Sequence, residues 1–506
     1  MPAQVMSVNG GSAHDIPAKL TGQVVVCSII AACGGLMFGY DIGISGGVTS
    51  MDVFLKKFFP TVFERKHHAK ENNYCKFDDQ LLQLFTSSLY LAAVVSSLIA
   101  SSCCKKYGRR ITIRLASIFF LIGVLLNAAA MNLMMLIFGR IFLGAGVGFG
   151  NQAVPLFISE IAPPNYRGGL NVCFQLLVTS GILFANIVNY FTSGHPYGWR
   201  ISLGGAAVPA LFLAFGSLAI VETPTSLIER GKPELGLVTL RKIRGVEDVQ
   251  KEYDEIVATT ELSKQIKSPW KNLMKRRSRP QLITSALLQI FQQFTGINVI
   301  MFYAPVLFQT MGFHSDASLL SAVVTGVINV FATLVAVFTV DRFGRRVLLI
   351  EAAIQMLIAQ VASGCILASM LKTTGSIPKT YSYVVLALIC VFVAGFAWSW
   401  GPLGWLIPSE IFPLETRTAG FFVAVSMNMI FTFLIAQAFL TMLCHMRAAI
   451  FFFFCAWIVI MLIYAIAFLP ETKGVSIDEM NDKVWKKHWF WKRYFDDERE
   501  QARDKP

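Results

Sequence analysis

Charge is scarce in this chain. Of its 506 residues, 15% are Asp, Glu, Lys or Arg, against about 25% in a soluble domain. That scarcity argues against an ordinary water-soluble globule. No Gly-x-x-x-x-Gly-Lys-Ser/Thr run occurs, so there is no Walker loop and no sign of ATP drive. Cys103-Cys104 and the seven scattered histidines lack metal-ligand spacing, so neither a metal nor a cofactor is expected, and no enzyme reading survives. Apolar runs such as Ile450 to Ala456 do not alternate, which excludes a transmembrane β-barrel. Residues 1–21 contain no long apolar stretch of the signal-peptide kind, so no cleavable leader is expected.

What is present is apolar length: 55% of the residues are hydrophobic. A membrane-crossing helix needs about 20 mostly apolar residues, because the bilayer core offers no partner for a free backbone group. Twelve runs qualify, at 22–45, 81–102, 111–131, 134–158, 169–191, 202–220, 281–308, 318–340, 347–370, 382–407, 417–442 and 447–469. An all-α membrane protein of twelve transmembrane helices is predicted.

The chain also repeats itself. Ser159-Glu160-Ile161-Ala162-Pro163-Pro164-Asn165-Tyr166-Arg167 returns as Ser409-Glu410-Ile411-Phe412-Pro413-Leu414-Glu415-Thr416-Arg417, 250 positions on. Tyr107-Gly108-Arg109-Arg110 returns as Phe343-Gly344-Arg345-Arg346 after 236, and Glu222-Thr223 as Glu471-Thr472 after 249. Three markers in one order at nearly one offset mean two homologous six-helix halves. Parallel membrane repeats are the architecture of secondary transporters, with the substrate held between them near the midplane. Arg109, Arg110, Glu160 and Arg167, with Arg345, Arg346, Glu410 and Arg417, are expected to form a cytosolic latch, since guanidinium and carboxylate pair strongly and can separate on opening.

Orientation follows from Lys and Arg in the loops. Residues 222–279 carry 13 Lys/Arg and 9 Asp/Glu, and the loops after spans 2 and 8 hold Lys105, Lys106, Arg109, Arg110 and Arg342, Arg345, Arg346. Both termini are therefore predicted to be cytosolic. The predicted division is a tail (1–21), a first half (22–221) with an outer lid loop (50–80), an amphipathic helical linker (222–279), a second half (280–470) and a tail (471–506). The lid is rich in aromatics (Phe54, Phe58, Phe59, Phe63, Tyr74, Phe77) and reads as a small packed cover. The C-terminal tail, with Trp485, Trp489 and Trp491 among lysines and Arg493, reads either as interfacial or as a flexible basic segment. The net charge of +13 needs no nucleic-acid partner, because loops facing anionic lipid explain it. Of ten cysteines, Cys75 and Cys444 alone fall in segments assigned to the outer, oxidising face, so a disulfide between them is predicted. Cys365 is the rival partner, and two free thiols are the alternative.

These markers, with Pro470-Glu471-Thr472-Lys473-Gly474, resemble the sugar porter family of the major facilitator superfamily over nearly the whole chain. Phe38-Gly39-Tyr40-Asp41-Ile42-Gly43-Ile44-Ser45-Gly46-Gly47, Gln292-Gln293-Phe294-Thr295-Gly296-Ile297-Asn298 and Trp398-Ser399-Trp400-Gly401-Pro402-Leu403-Gly404-Trp405 are similar to the plant monosaccharide–proton symporters. The resemblance implies the major facilitator fold, a monosaccharide and a proton as partners, and a plasma-membrane location.

The residues bear on that implication independently. A sugar is uncharged, so its site should offer neutral donors and acceptors and an aromatic face. Gln175, Gln292, Gln293, Asn298, Asn329, Trp405 and Asn428 supply these in apolar spans and match the positions the resemblance marks as sugar-binding, with Phe38 and Ile182 as apolar walls. Gln289 reads as helix packing instead. Gly395, Gly401-Pro402, Gly404 and Pro408 predict a local break in span 10. Asp41 and Arg140 lie inside spans 1 and 4, where a charge costs about 2.5–3.5 kcal/mol and is usually paired and functional. Arg keeps its proton; an Asp can take one up when its partner moves away. Asp41 is thus the expected proton carrier and Arg140 its modulator. Glucose or another hexose is the expected cargo. A proton-independent facilitator, a polyol or inositol porter and a non-transporting sugar sensor are the alternatives, and sequence leaves the oligomeric state open.

Overall fold

The structure is a computed structural model that describes residues 20–68, 75–163, 166–265, 269–310, 315–370, 378–473, 475 and 480–495. Tyr74 of the lid and the first 19 residues lie outside that set. The described residues are almost entirely helical. Among the described residues, eleven stretches are long and apolar enough to cross a membrane, two of them made of paired helices. A twelfth crossing is split in two: Arg279–Phe294 and Ile297–Thr310. The first half comprises Gly22–Val48, Gln80–Tyr107, Arg109–Ala128, Leu133–Ile161, Arg167–Thr192 and the pair Gly198–Gly205 with Ala207–Ala219. After the split seventh span, the second half continues with Ser315–Phe343, Arg345–Met370, the pair Lys379–Ala397 with Trp400–Ile411, Leu414–Met446 and Ala449–Ala467.

Spans 7 and 10 are interrupted, span 7 against expectation and span 10 as expected but at a different residue. Span 7 was expected to run unbroken over 281–308. It stops at Thr295 because Gly296 takes φ +85°, a left-handed conformation that ends a helix. The Thr295 hydroxyl then accepts the N–H of Ile297 and starts the next piece. Span 10 breaks at Trp398–Ser399, where Ser399 has φ −136° and ψ −85°, and not at Gly401-Pro402. Pro402 falls instead in the first turn of the new helix, where a missing N–H costs nothing.

At one end of the bundle, called the lid end below, Asp52–Phe58 and Pro60–His68 form two short helices over the core. Phe54 is fully buried, with ring centroids 5.3 Å from Phe85 and 6.0 Å from Trp199. Lys66 bonds Asp52 at 2.8 Å and so closes the lid on itself. Partial burial would raise the Asp52 pKa, but Lys66 and His67 outweigh it and hold the carboxyl below its usual value.

At the opposite, marker end, the linker forms helices Pro224–Glu229, Pro233–Arg244, Gln250–Gln265 and Pro269–Leu273. Its Arg244 pairs with Glu252 at 2.6 Å and donates to the Ile161 carbonyl at 2.8 Å, which fastens the linker to span 4. The tail over 480–495 is folded, unlike the flexible alternative. Trp485 and Trp491 are buried, and the Trp489 and Trp491 indoles donate to the carbonyls of Ala467 and Phe468, at 2.8 and 2.7 Å. Those carbonyls lie at the end of span 12 and lack intrahelical partners. Burial, then the nearby Arg346 charge, pushes the His488 imidazole below its usual pKa.

Candidate functional site

Two polar centres lie inside the bundle. In the first half, Arg140 Nη1 donates to Asp41 Oδ1 at 2.6 Å, and both side chains are essentially inaccessible. Arg140 Nη2 reaches the Ser45 hydroxyl at 3.2 Å, and its guanidinium lies 4.1 Å from the centroid of Phe85. Phe85 thus packs against Arg140 on one side and lid Phe54 on the other, a link that no spacing in the sequence announces.

The second centre is a cavity of about 50 Å³ between the halves. Phe38, Gln175, Ile182, Gln292, Gln293, Asn298, Asn329, Trp405 and Asn428, the nine residues proposed from sequence, all line it. That volume is far below the roughly 300–1,000 Å³ of a typical small-molecule pocket. The two halves are therefore closed upon each other here, and a larger ligand requires them to part.

The breaks in spans 7 and 10 build this cavity. The turn at Gly296 sets Gln293 and Asn298 side by side, with Asn298 Nδ2 donating to Gln293 Oε1. Asn428 Nδ2 donates to Gln289 and Gln292, each at 2.7 Å. Gln292 Nε2 donates in turn to the carbonyls of Trp400 and Gly401, at 2.9 and 3.0 Å. Gln289 bonds the Gly404 carbonyl, whose usual helical partner would be the N–H that Pro408 lacks. Gln289 is thus a support for Asn428 and for span 10 and does not line the cavity. Trp405 is flanked by Phe174 and Phe421, both 6.5 Å between centroids. Asn329 Nδ2 rests on Met301 Sδ at 3.6 Å, and its Oδ1 is buried without a partner. Sequence reasoning missed Ile42, Val178, Ile297, Met301, Phe302, Phe396 and Thr432 in the lining. Thr432 was findable, since it sits one turn past Asn428 and donates to its carbonyl at 2.8 Å.

At the marker end, Arg109 pairs with Glu160 at 2.8 Å and Glu229 at 2.7 Å, and Arg345 with Glu410 at 3.1 Å. The two second arginines behave differently from expectation. Arg110 donates to the carbonyls of Ser217 and Leu218, and Arg346 to those of Ala465 and Ile466. Each caps the end of the last span of its own half, where carbonyls are orphaned. Arg109 and Glu160 belong to the first half and Arg345 and Glu410 to the second, while Glu229 belongs to the linker. The hydrogen bond that crosses the seam is Arg417 Nη2 to Ser159 Oγ, at 2.9 Å. The Arg167 side chain lies outside the described residues. At the lid end, span 11 meets the lid segment through Thr441–Asp78 at 2.7 Å and span 2 through Gln437–Ser87 at 2.6 Å. Cys75 and Cys444 are joined there by a disulfide, with Cα atoms 4.5 Å apart.

The family model described as Sugar (and other) transporter matches residues 27–484. Sugar transport protein 8 of Arabidopsis thaliana is 66% identical over 499 residues, 98% of each chain. Sugar transport protein MST4 of Oryza sativa subsp. japonica is 59% identical, covering 96% of this chain and 95% of its own. Among solved structures, the major facilitator proton:xylose symporter XylE bound to 6-bromo-6-deoxy-D-glucose superposes with a TM-score of 0.78 at 26% identity, over 92% of this chain and 99% of that one.

Proposed function

The chain belongs to the sugar transporter family, and on that premise we propose that it imports a hexose together with a proton across the plasma membrane. The observation that carries the reading is the buried Asp41–Arg140 pair, 2.6 Å apart, whose Asp41 lies on the helix that also walls the amide-lined cavity. Phe38 and Ile42 line that cavity, and Asp41 lies between them in sequence facing Arg140. One helix therefore senses both the proton and the sugar.

The neutral amides suit hydroxyls that both donate and accept, and Trp405 suits the C–H face of the ring. A proton on Asp41 weakens its hold on Arg140 and frees span 1 to close on sugar. The marker end faces the cytosol, in keeping with its Lys and Arg. The Arg109–Glu160 and Arg345–Glu410 clusters hold each half's cytosolic end rigid, and the Arg417–Ser159 contact parts when the transporter opens inward. The Cys75–Cys444 bond ties the lid to the second half and shields Asp41 from outside water.

The energetics suffice. About 100 mV supplies ~2.3 kcal/mol per proton, and one pH unit adds ~1.36 kcal/mol. Together they sustain a sugar gradient of several hundredfold, at ~1.4 kcal/mol per decade.

The test is uptake of a panel of labelled hexoses, pentoses and polyols in yeast lacking hexose uptake, with and without protonophore. A hexose should accumulate, faster at acidic external pH, and accumulation should collapse with protonophore and in Asp41→Asn. Accumulation by Asp41→Asn equal to the parent would overturn the proton reading, and preferred uptake of a polyol would overturn the cargo.

A further inference from the structure

Asn151 of span 4 is 1% exposed, yet neither its Nδ2 nor its Oδ1 has a partner. Its backbone carbonyl is also short of one, because the residue four positions on is Pro155, which has no N–H. Leaving a buried polar group unbonded costs roughly 1–3 kcal/mol, so three such atoms at one residue need an explanation.

Its position supplies one. Asn151 follows Arg140 by eleven residues, three helical turns, so the two share a face about 16 Å apart along the axis. The neighbours fix that face. Gly144 and Gly148 lie against Leu89 and Ser96 of span 2, while Val154 lies against Gly34 of span 1. Asn151 falls between them, on the seam that holds Asp41 and Arg140, toward the marker end. Two turns further on, Ser159 meets Arg417 of the other half. Asp41 and Arg140 stand on this seam; at the marker end Arg417 reaches Ser159, while Glu160, on the far side of span 4 from Arg140, pairs with Arg109.

We propose that Asn151 positions water midway along the path by which the proton leaves Asp41 for the cytosol. This rests on the symport reading above. In the inward-open state the O–H bond of the protonated Asp41 carboxyl breaks, the proton passes to water, and the carboxylate is left to pair again with Arg140. Asn151 donates through Nδ2 and accepts through Oδ1 and its carbonyl, so it can hold a water in either orientation. Being an amide, it does not titrate and does not trap the proton as a second carboxylate would. It is a positioning residue, since it acts through water and not on sugar.

The full-length transporter tests this in right-side-out membrane vesicles. Two rates are compared: net proton-driven hexose uptake, which requires proton release, and equilibrium exchange of labelled for unlabelled hexose, in which the carrier can return still protonated. Asn151→Leu should lower net uptake about tenfold while exchange stays within about twofold. Asn151→Ser, which can still bond water, should recover most of the loss. Gln152→Leu is the control: its amide is likewise buried with neither atom bonded, but it sits one turn past Gly148 and faces span 2, off the seam, so its ratio of the two rates should not move. A proportional fall of both rates in Asn151→Leu would make the residue merely structural and overturn the proposal, as would no fall in either. Should Asn151→Leu not reach the membrane, Asn151→Ala carries the same comparison. Net uptake by the parent that ignores protonophore would instead remove the symport reading itself, a result distinguishable because it needs no Asn151 variant.

Discussion

The two halves match at the marker end and differ in the middle. Gly108 and Gly344 have φ +93° and +92°, and the carboxylates of Glu222 and Glu471 accept the two N–H groups that follow each glycine. A Cβ at either glycine would strike that same carboxylate, at 2.3 and 2.8 Å. Arg109 and Arg345 bind acids, and Arg110 and Arg346 cap the last helix of each half. Toward the midplane the copies part. The offset that pairs Ser159 with Ser409 pairs Arg140 with Cys390, Pro155 with Trp405, and Asn151-Gln152 with Gly401-Pro402. The first half keeps a buried charge pair on continuous helices. The second has neutral amides and two broken helices. Duplication retained the parts that seat each half and let the interiors diverge, with the buried charge pair in the first half and most of the cavity's amides in the second.

The sharpest way to break that division is to treat matched positions alike. Arg140→Leu should abolish accumulation, because removing one partner of a buried pair costs about 3–5 kcal/mol. Cys390→Leu, at the matched position, should leave initial uptake within about twofold. Equal losses would mean that the second half also carries charge-dependent work. Smaller is the effect of Gln292→Ala, which removes bonds to Trp400, Gly401 and Asn428. At about 0.5–1.5 kcal/mol each, their loss should raise the apparent KM for hexose tenfold or more, read by uptake kinetics, while the protonophore sensitivity of the remaining uptake persists. Smallest is Trp491→Phe. The second half caps its last span with indoles as well as with an arginine, and the first half shows no indole there among the described residues. Losing that one N–H should cost about 0.5–1.5 kcal/mol and lower the melting temperature of detergent-purified protein slightly, with KM unchanged.

Much of this was legible in the sequence, for physical reasons. Membrane helices must be long and apolar, so hydropathy located the crossings. Charges and amides are costly in lipid, so Asp41, Arg140 and the cavity residues stood out against their surroundings. Oxidising topology singled out Cys75 and Cys444. The break at Gly296 did not register, because an apolar run reads the same whether the helix through it is continuous or interrupted. Span 10 misled by its prolines: Pro402 marks the start of the new helix and Pro408 the carbonyl that Gln289 fills, so neither lies at the break itself. Arg110 and Arg346 look like partners for acids in the sequence, which shows charges and not the orphaned carbonyls of a distant helix end. Phe85, between the lid and Arg140, carries no signal that sets it apart from other aromatic residues in apolar helices.

Asp41 is the proposed carrier of the proton that moves with sugar. Sugar-evoked current under voltage clamp, in oocytes expressing the chain, tests it most directly. Adding hexose should evoke an inward current that grows as external pH falls. Asp41→Asn should reach the surface and bind hexose yet give no current at any pH. A sugar-evoked current of parental size in Asp41→Asn would contradict the account.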